Sequence, residues 1–135
     1  MASIYDDIRQ ALETQLSGIT GVPSIAWENI TFEPTTGSSY VVPRLFPTTR
    51  EPAHRGLNPQ MFYQGLFQVQ CCVPEGLGPA AADTLANLII DNFEATSDIA
   101  SGATIVRIRY AEREQGMSNG THFMVPVNIG WYIYA

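Results

Sequence analysis

Residues 61–73, MFYQGLFQVQCCV, alternate from one side chain to the next and carry no charge. Successive side chains of a strand point to opposite faces. Tyr63, Phe67, Val69, Cys71 and Val73 therefore share one face with Gly65, and Phe62, Gln64, Leu66, Gln68, Gln70 and Cys72 share the other. The first face is apolar enough to line a core, while the second carries three glutamines. The same period returns at His122–Tyr134, where Phe123, Val125, Val127, Ile129, Trp131 and Ile133 oppose His122, Met124, Asn128, Tyr132 and Tyr134. Two such strands call for a sheet with one face buried and the other left for different use.

Two helices are predicted to bury that first face. Ile4, Ile8, Leu12 and Leu16 recur every four residues, with Ala11 beside them. Ser3 and Asp6 stand where a capping box would, Asp6 and Asp7 suit the positive end of the helix, and Gly18, Gly21 and Pro23 end it. Residues 79–93 form the second helix, with Pro79 at its start. Ala81, Leu85, Leu88, Ile89 and Phe93 make its stripe, and its alanines permit close approach to a sheet. Shorter strands are expected around Ile25 to Trp27, at residues 40–46 and at residues 104–111. In the last, Val106, Ile108 and Tyr110 oppose Arg107 and Arg109. Pro43 marks its strand as an edge or a break, and Pro126 marks a local edge or kink. Residues 33–39 and 96–103 read as polar connectors, and residues 112–120 as a turn around Asn119-Gly120. Residues 47–59, PTTREPAHRGLNP, read as a long irregular loop. The fold class is α+β: a mixed, mostly antiparallel sheet, two main helices packed on one face, and a long loop between strands, in one domain over residues 1–135.

Charge narrows the partners. All seven basic residues are arginine, and thirteen acids bring the formal net charge to -6. A protein that grips duplex DNA uses many cationic phosphate contacts, so tight DNA binding is disfavoured. Charged residues are only 15% of the chain against 45% hydrophobic ones, which fits a protein that hides surface against partners. The apolar runs are too short for a membrane helix, and MASIYDDIRQ has no basic start or apolar segment of a cleaved secretion signal. Cys71 and Cys72 are adjacent, so one belongs to the core and the other to the opposite face; no disulfide framework is expected, and a reducing compartment fits.

Chemical motifs are sparse. His54 and His122 lie apart from any patterned metal ligands, and no phosphate-binding, zinc-protease or nucleophile-elbow motif occurs. Glu28, Glu33 and most other acids read as solvated surface. No catalytic, cofactor-binding or metal residue is expected. The candidate subunit or tube interface is Arg50 and Arg55 in the long loop, Gln64 and Gln68 on the second face of the uncharged strand, and Arg107 and Arg109, two apart on a later strand. Arginine suits buried interfaces, and amides give hydrogen bonds without the desolvation penalty of charge. For Arg107 and Arg109, neutralisation by nearby acids and pairing with a neighbour or a DNA channel both stand open.

The segments SIYDDIRQALETQL, YVVPRLFPTTREP, FYQGLFQVQCCVPEGLG running into AAADTLANLIIDNF, TIVRIRYAERE and HFMVPVNIGWYIY together resemble the tail-terminator and tail-completion proteins of long-tailed phages, of the minor-tail-protein U type. The resemblance covers nearly the whole chain. It implies a structural virion protein without cofactor or catalysis. Such a protein forms a six-fold ring, caps the tail tube, stops its polymerisation and presents a surface to the head-tail connector protein. Its implied partners are itself, the tail tube protein and the connector, with passing contact to DNA in the channel and none to membrane. Its implied place is the head-proximal end of the virion tail, after assembly in the host cytoplasm. Two alternatives stand beside it: a head-completion or neck subunit, and a monomeric small-ligand-binding or enzymatic α+β domain, which would show a deep pocket with converging polar groups.

Overall fold

The computed structural model describes residues 4–28, 38–54, 56, 60–76, 79–93, 98–101, 104–118 and 122–135. The elements run α1 (Ile4–Ser17), β1 (Ser24–Ile25), β2 (Tyr40–Pro52), β3 (Met61–Pro74), α2 (Ala80–Asn92), β4 (Asp98–Ser101), β5 (Thr104–Arg113), β6 (Met117–Ser118) and β7 (His122–Tyr134). One sheet has the order β1-β2-β3-β7-β5-β4, with β6 pairing to β7. All its pairings are antiparallel except β1 with β2. The α+β class with a mixed, mostly antiparallel sheet is thus observed, and the two helices share one face of it. The expected Ser3 cap, Glu33 and the Asn119-Gly120 turn lie outside the described residues.

The two uncharged strands are neighbours at the centre. β3 and β7 pair along their whole lengths, from Phe62 with Tyr134 to Pro74 with His122. Phe67, Val69, Cys71 and Val73 of β3 meet Val125, Val127, Ile129, Trp131 and Ile133 of β7 in one core, closed by Ile8, Leu12 and Leu16 of α1 and Leu85, Ala86 and Ile89 of α2. α2 is turned slightly from its expected setting. Ala82 and Ala86 are buried while Ala81 is exposed and Leu88 only half-buried, because the smallest side chains sit where the helix comes nearest the sheet. Gly65 lies opposite Trp131. A Cβ added there would stand 2.5 Å from the Phe46 carbonyl oxygen and 2.6 Å from the Trp131 ring, so only glycine lets β2, β3 and the indole meet. The indole N–H of Trp131 has no acceptor among the described residues.

β2 corrects the expected loop. The strand does not stop at Phe46 but continues through Pro47 to Pro52, pairing Arg50 with Tyr63 and Pro52 with Met61. Strand parity explains how it tolerates three prolines. Val41 turns its carbonyl away from β3 to accept the Ala26 N–H at 2.8 Å, and Leu45 turns its N–H away to donate to the Glu28 carboxylate at 3.0 Å. Pro43 and Pro47 share that parity. The register slips by one between Pro47 and Thr49, and Ala53 then donates inward to Gln60 at 2.7 Å, so Pro52 also faces outward. No proline displaces a bond to β3. Among the described residues β1 pairs only with Tyr40 and Val41, and most of this side is an edge, as Pro43 suggested.

Three further expectations change. The connector 96–103 contains β4, which pairs back on β5. A register shift between Ile108 and Tyr110 sends Tyr110 to the face opposite Val106 and Ile108. Its ring covers Gly130, where an added Cβ would meet it at 2.2 Å. β7 is internal rather than an edge; Pro126 sits where pairing passes from β5 to β6, and its carbonyl still accepts the Glu114 N–H at 2.9 Å. Glu28 is no idle surface acid. One oxygen holds Leu45 and the other Arg9 of α1 at 3.0 Å, tying the helix to the sheet edge.

Both cysteines are free and buried. Burial pushes the Cys71 thiol up to about 12, and burial also raises Cys72, which lies opposite Tyr40. At pH 8 the Cys71 thiolate fraction would be about one in ten thousand. Native protein at that pH is therefore expected to react with a thiol reagent only slowly, and denatured protein promptly at both sites, as followed by absorbance. Gly65→Ala is expected to destabilise the fold by about 1–3 kcal/mol through overpacking. Urea unfolding checks this, and an unchanged midpoint would show that β2 yields at this point.

Candidate interaction surface

The face of the sheet turned away from the helices is where the sequence candidates gather. Cross-strand rows place Arg44, Gln68 and Asn128 side by side, then Phe46, Leu66 and Gly130, then Thr49, Gln64, Tyr132 and Arg107, then Glu51, Phe62 and Tyr134. Their period of two turns all of them to one side. The amides are knitted together across strands. Gln68 Nε2 donates to Asn128 Oδ1 at 3.1 Å, Gln64 Nε2 donates to Thr49 Oγ1 at 3.1 Å, and Arg109 Nη1 donates to Gln64 Oε1 at 2.6 Å. Arg109 falls at the register shift of β5 and reaches over β7 to do so.

Four of the six candidates thus lie on this face: Gln64, Gln68, Arg107 and Arg109. Arg107 meets Asp98 of β4 at 3.3 Å, the neutralisation by a nearby acid that the sequence left open. Arg50 is separated from them. The register slip in β2 puts it on the helix side, its guanidinium 5.8 Å from the ring centre of Tyr63, which also stacks edge-on with Tyr5 of α1 at 5.7 Å. Arg55 lies outside the described residues.

Arg44 and Phe46 also lie on this face, although no motif in the sequence marks them. Both follow from the alternation in YVVPRLF once the strand is known to continue, and Phe46 is 42% exposed. Tyr134 is 52% exposed and forms an aromatic cluster with Phe62 and Tyr132, with centroids 5.1 to 6.2 Å apart. Tyr110, 40% exposed, joins this face only because of the shift in β5. No local sequence signal announces that shift. The surface therefore combines exposed aromatic rings with amides already held in place, a composition suited to contact with protein.

Catalytic chemistry has little to work with. Among the described residues no group of three His, Cys, Asp or Glu side chains could hold a metal. His122 is buried, with its ring edge-on to Tyr40 and Nε2 3.1 Å from the Ser38 carbonyl, so it fastens the start of β2 to β7. Burial also raises the carboxyl of Glu13, opposed by Arg9 and aided by Glu28. Three grooves among the described residues are open: about 440 Å³ beside β4, about 380 Å³ near Phe123 and about 220 Å³ near Leu88. None brings together a nucleophile, a base and an oxyanion donor. No described helix is long and apolar enough to cross a membrane.

No curated protein matches the sequence. One solved protein chain superposes with a TM-score of 0.78 at 26% identity, over 99% of this chain and 97% of its own. The family model described as phage tail terminator protein matches residues 7–131. The chain belongs to the phage tail terminator family, and its role is a structural one in the tail of the virion.

Proposed function

We propose that this protein forms a six-fold ring on the head-proximal end of the tail tube, ends tube growth there, and offers its outer surface to the head-tail connector. The observation that carries this reading is the helix-free sheet face. It spans five strands, β2, β3, β7, β5 and β4, has no helix over it among the described residues, and shows aromatic rings and tethered amides. A tube end could accept further tube rings without limit, so a cap must match the tube on one side and refuse it on the other. Surface complementarity does this without an active site, and the protonated, buried thiols fit a protein that performs no reaction. Arg107 and Arg109 are held by Asp98 and Gln64, an arrangement that favours a lateral protein contact over a row of free phosphate contacts. Assembly takes place in the host cytoplasm.

Light scattering of the protein with and without purified tail tubes tests this directly. The expected result is a six-subunit mass, either free or on the tube end; a monomer that ignores tubes and attaches instead to filled heads would replace the cap with a neck subunit. Phe46→Asp is expected to leave stability within about 1 kcal/mol, since Phe46 is exposed, and to weaken assembly about tenfold or more. Urea melts and the same mass measurement check the two halves of that expectation.

A further inference from the structure

The two edges of the sheet are built differently. Along β2, the nitrogens of Pro43, Pro47 and Pro52 face outward with no hydrogen to give, and the outward N–H of Leu45 is taken by Glu28 at 3.0 Å. The Arg50 N–H is left between two prolines. An added strand would find almost no donors there, which is how natural sheets protect an edge.

Among the described residues β4 has no such protection. Met61 and Ala135 exchange both backbone bonds, at 2.7 and 2.9 Å, so odd-numbered residues of β7 turn toward β3 and even-numbered ones toward β5. Tyr132 therefore bonds to Arg107, and Arg107 turns its backbone away from Asp98. By the same alternation Asp98 and Ala100 direct their N–H and C=O groups out of the sheet. They open into the groove of about 440 Å³, whose opposite wall is Gln10, Thr14, Gln15 and Gly18 of α1 and its turn. α1 is pinned above it at both ends: Thr104 Oγ1 donates to Asp7 at 3.3 Å, and Gln15 Nε2 donates to the Asn92 carbonyl at 2.8 Å. The Gln10 side-chain amide has no partner among the described residues and is exposed on the groove. Among the described lining residues the one charge is Asp98, and it already answers Arg107.

We propose that the β4 edge is an acceptor for an uncharged, extended segment of the tail-tube subunit, which adds to the sheet as a further strand beneath α1. This rests on the reading of the protein as a tube cap. A second copy of this chain fits less well, because its β2 edge is closed and β4 against β4 is a two-fold pairing that yields a dimer rather than a ring. Strand addition draws its affinity from main-chain bonds, and the groove's amides suit a neutral occupant.

Ala100→Pro tests this with little cost to the fold, because the N–H it removes faces outward. Circular dichroism confirms folding, and sedimentation with tail tubes measures binding. The expected result is wild-type binding to tubes and a loss of about tenfold or more in the variant. In wild-type protein, hydrogen exchange at the Asp98 and Ala100 amides is expected to slow when tubes are added; this reading survives even if the variant misfolds. Tube binding with unchanged exchange at these two amides, or equal binding by a folded variant, overturns the edge proposal and leaves the cap reading standing. Wild-type protein that ignores tubes overturns the cap reading itself and the tube subunit as donor. A solution dimer abolished by Ala100→Pro would assign the edge to a second copy instead.

Discussion

The contact of Trp131 with the bare Cα of Gly65 is the constraint around which the sheet is arranged. A side chain larger than hydrogen at position 65 would collide with the indole on one side and the β2 backbone on the other. Because Gly65 and Trp131 are directly opposed, that contact fixes the register of β3 on β7. A slip of one residue would turn the apolar side chains of one strand away from those of the other. It also lies next to the point where β2 changes register, so the same spot decides which side chains of β2 face the helices and which face away.

From that register the two faces acquire separate duties. The helix side is sealed by α1 and α2 and by long-range ties such as Glu28 to Arg9 and Arg113 to Asp83. Surface ion pairs of this kind add little stability, but they set where the helices sit. Among the described residues the other side receives no helix, and across its strands Gln68 is tied to Asn128 and Gln64 to Thr49 and Arg109. Such amides lose little when water leaves, since their partners are already in place. A tail protein that must join neighbours repeatedly and correctly gains from a surface that needs no rearrangement on contact.

The edges divide labour in the same way. Prolines in β2 look like breaks when the segment is read alone, yet all three face the side where the strand has no paired neighbour among the described residues. They remove donors from one edge, while the groove beside β4 keeps donors and acceptors on the other. An asymmetric sheet of this kind can meet different partners at different sides without polymerising through its own backbone.

Several features were legible in the sequence alone. The strict alternation of residues 61–73 and 122–134 determined two long strands with one core face, and the four-residue spacing of α1 determined the helix that covers it, because each pattern has a single period that buries its apolar side. The same alternation placed Gln64, Gln68, Tyr132 and Tyr134 on one surface. What the sequence could not decide was anything that depends on counting across strands. The slip between Pro47 and Thr49 moved Arg50 to the helix side, and the shift at Arg109 moved Tyr110 away from Val106 and Ile108. The short strand β4 could not be told from a polar connector until β5 was there to pair with it. One extra residue in a strand reverses every facing beyond it, and only the tertiary pairing of that strand with its neighbour shows where the extra residue has gone.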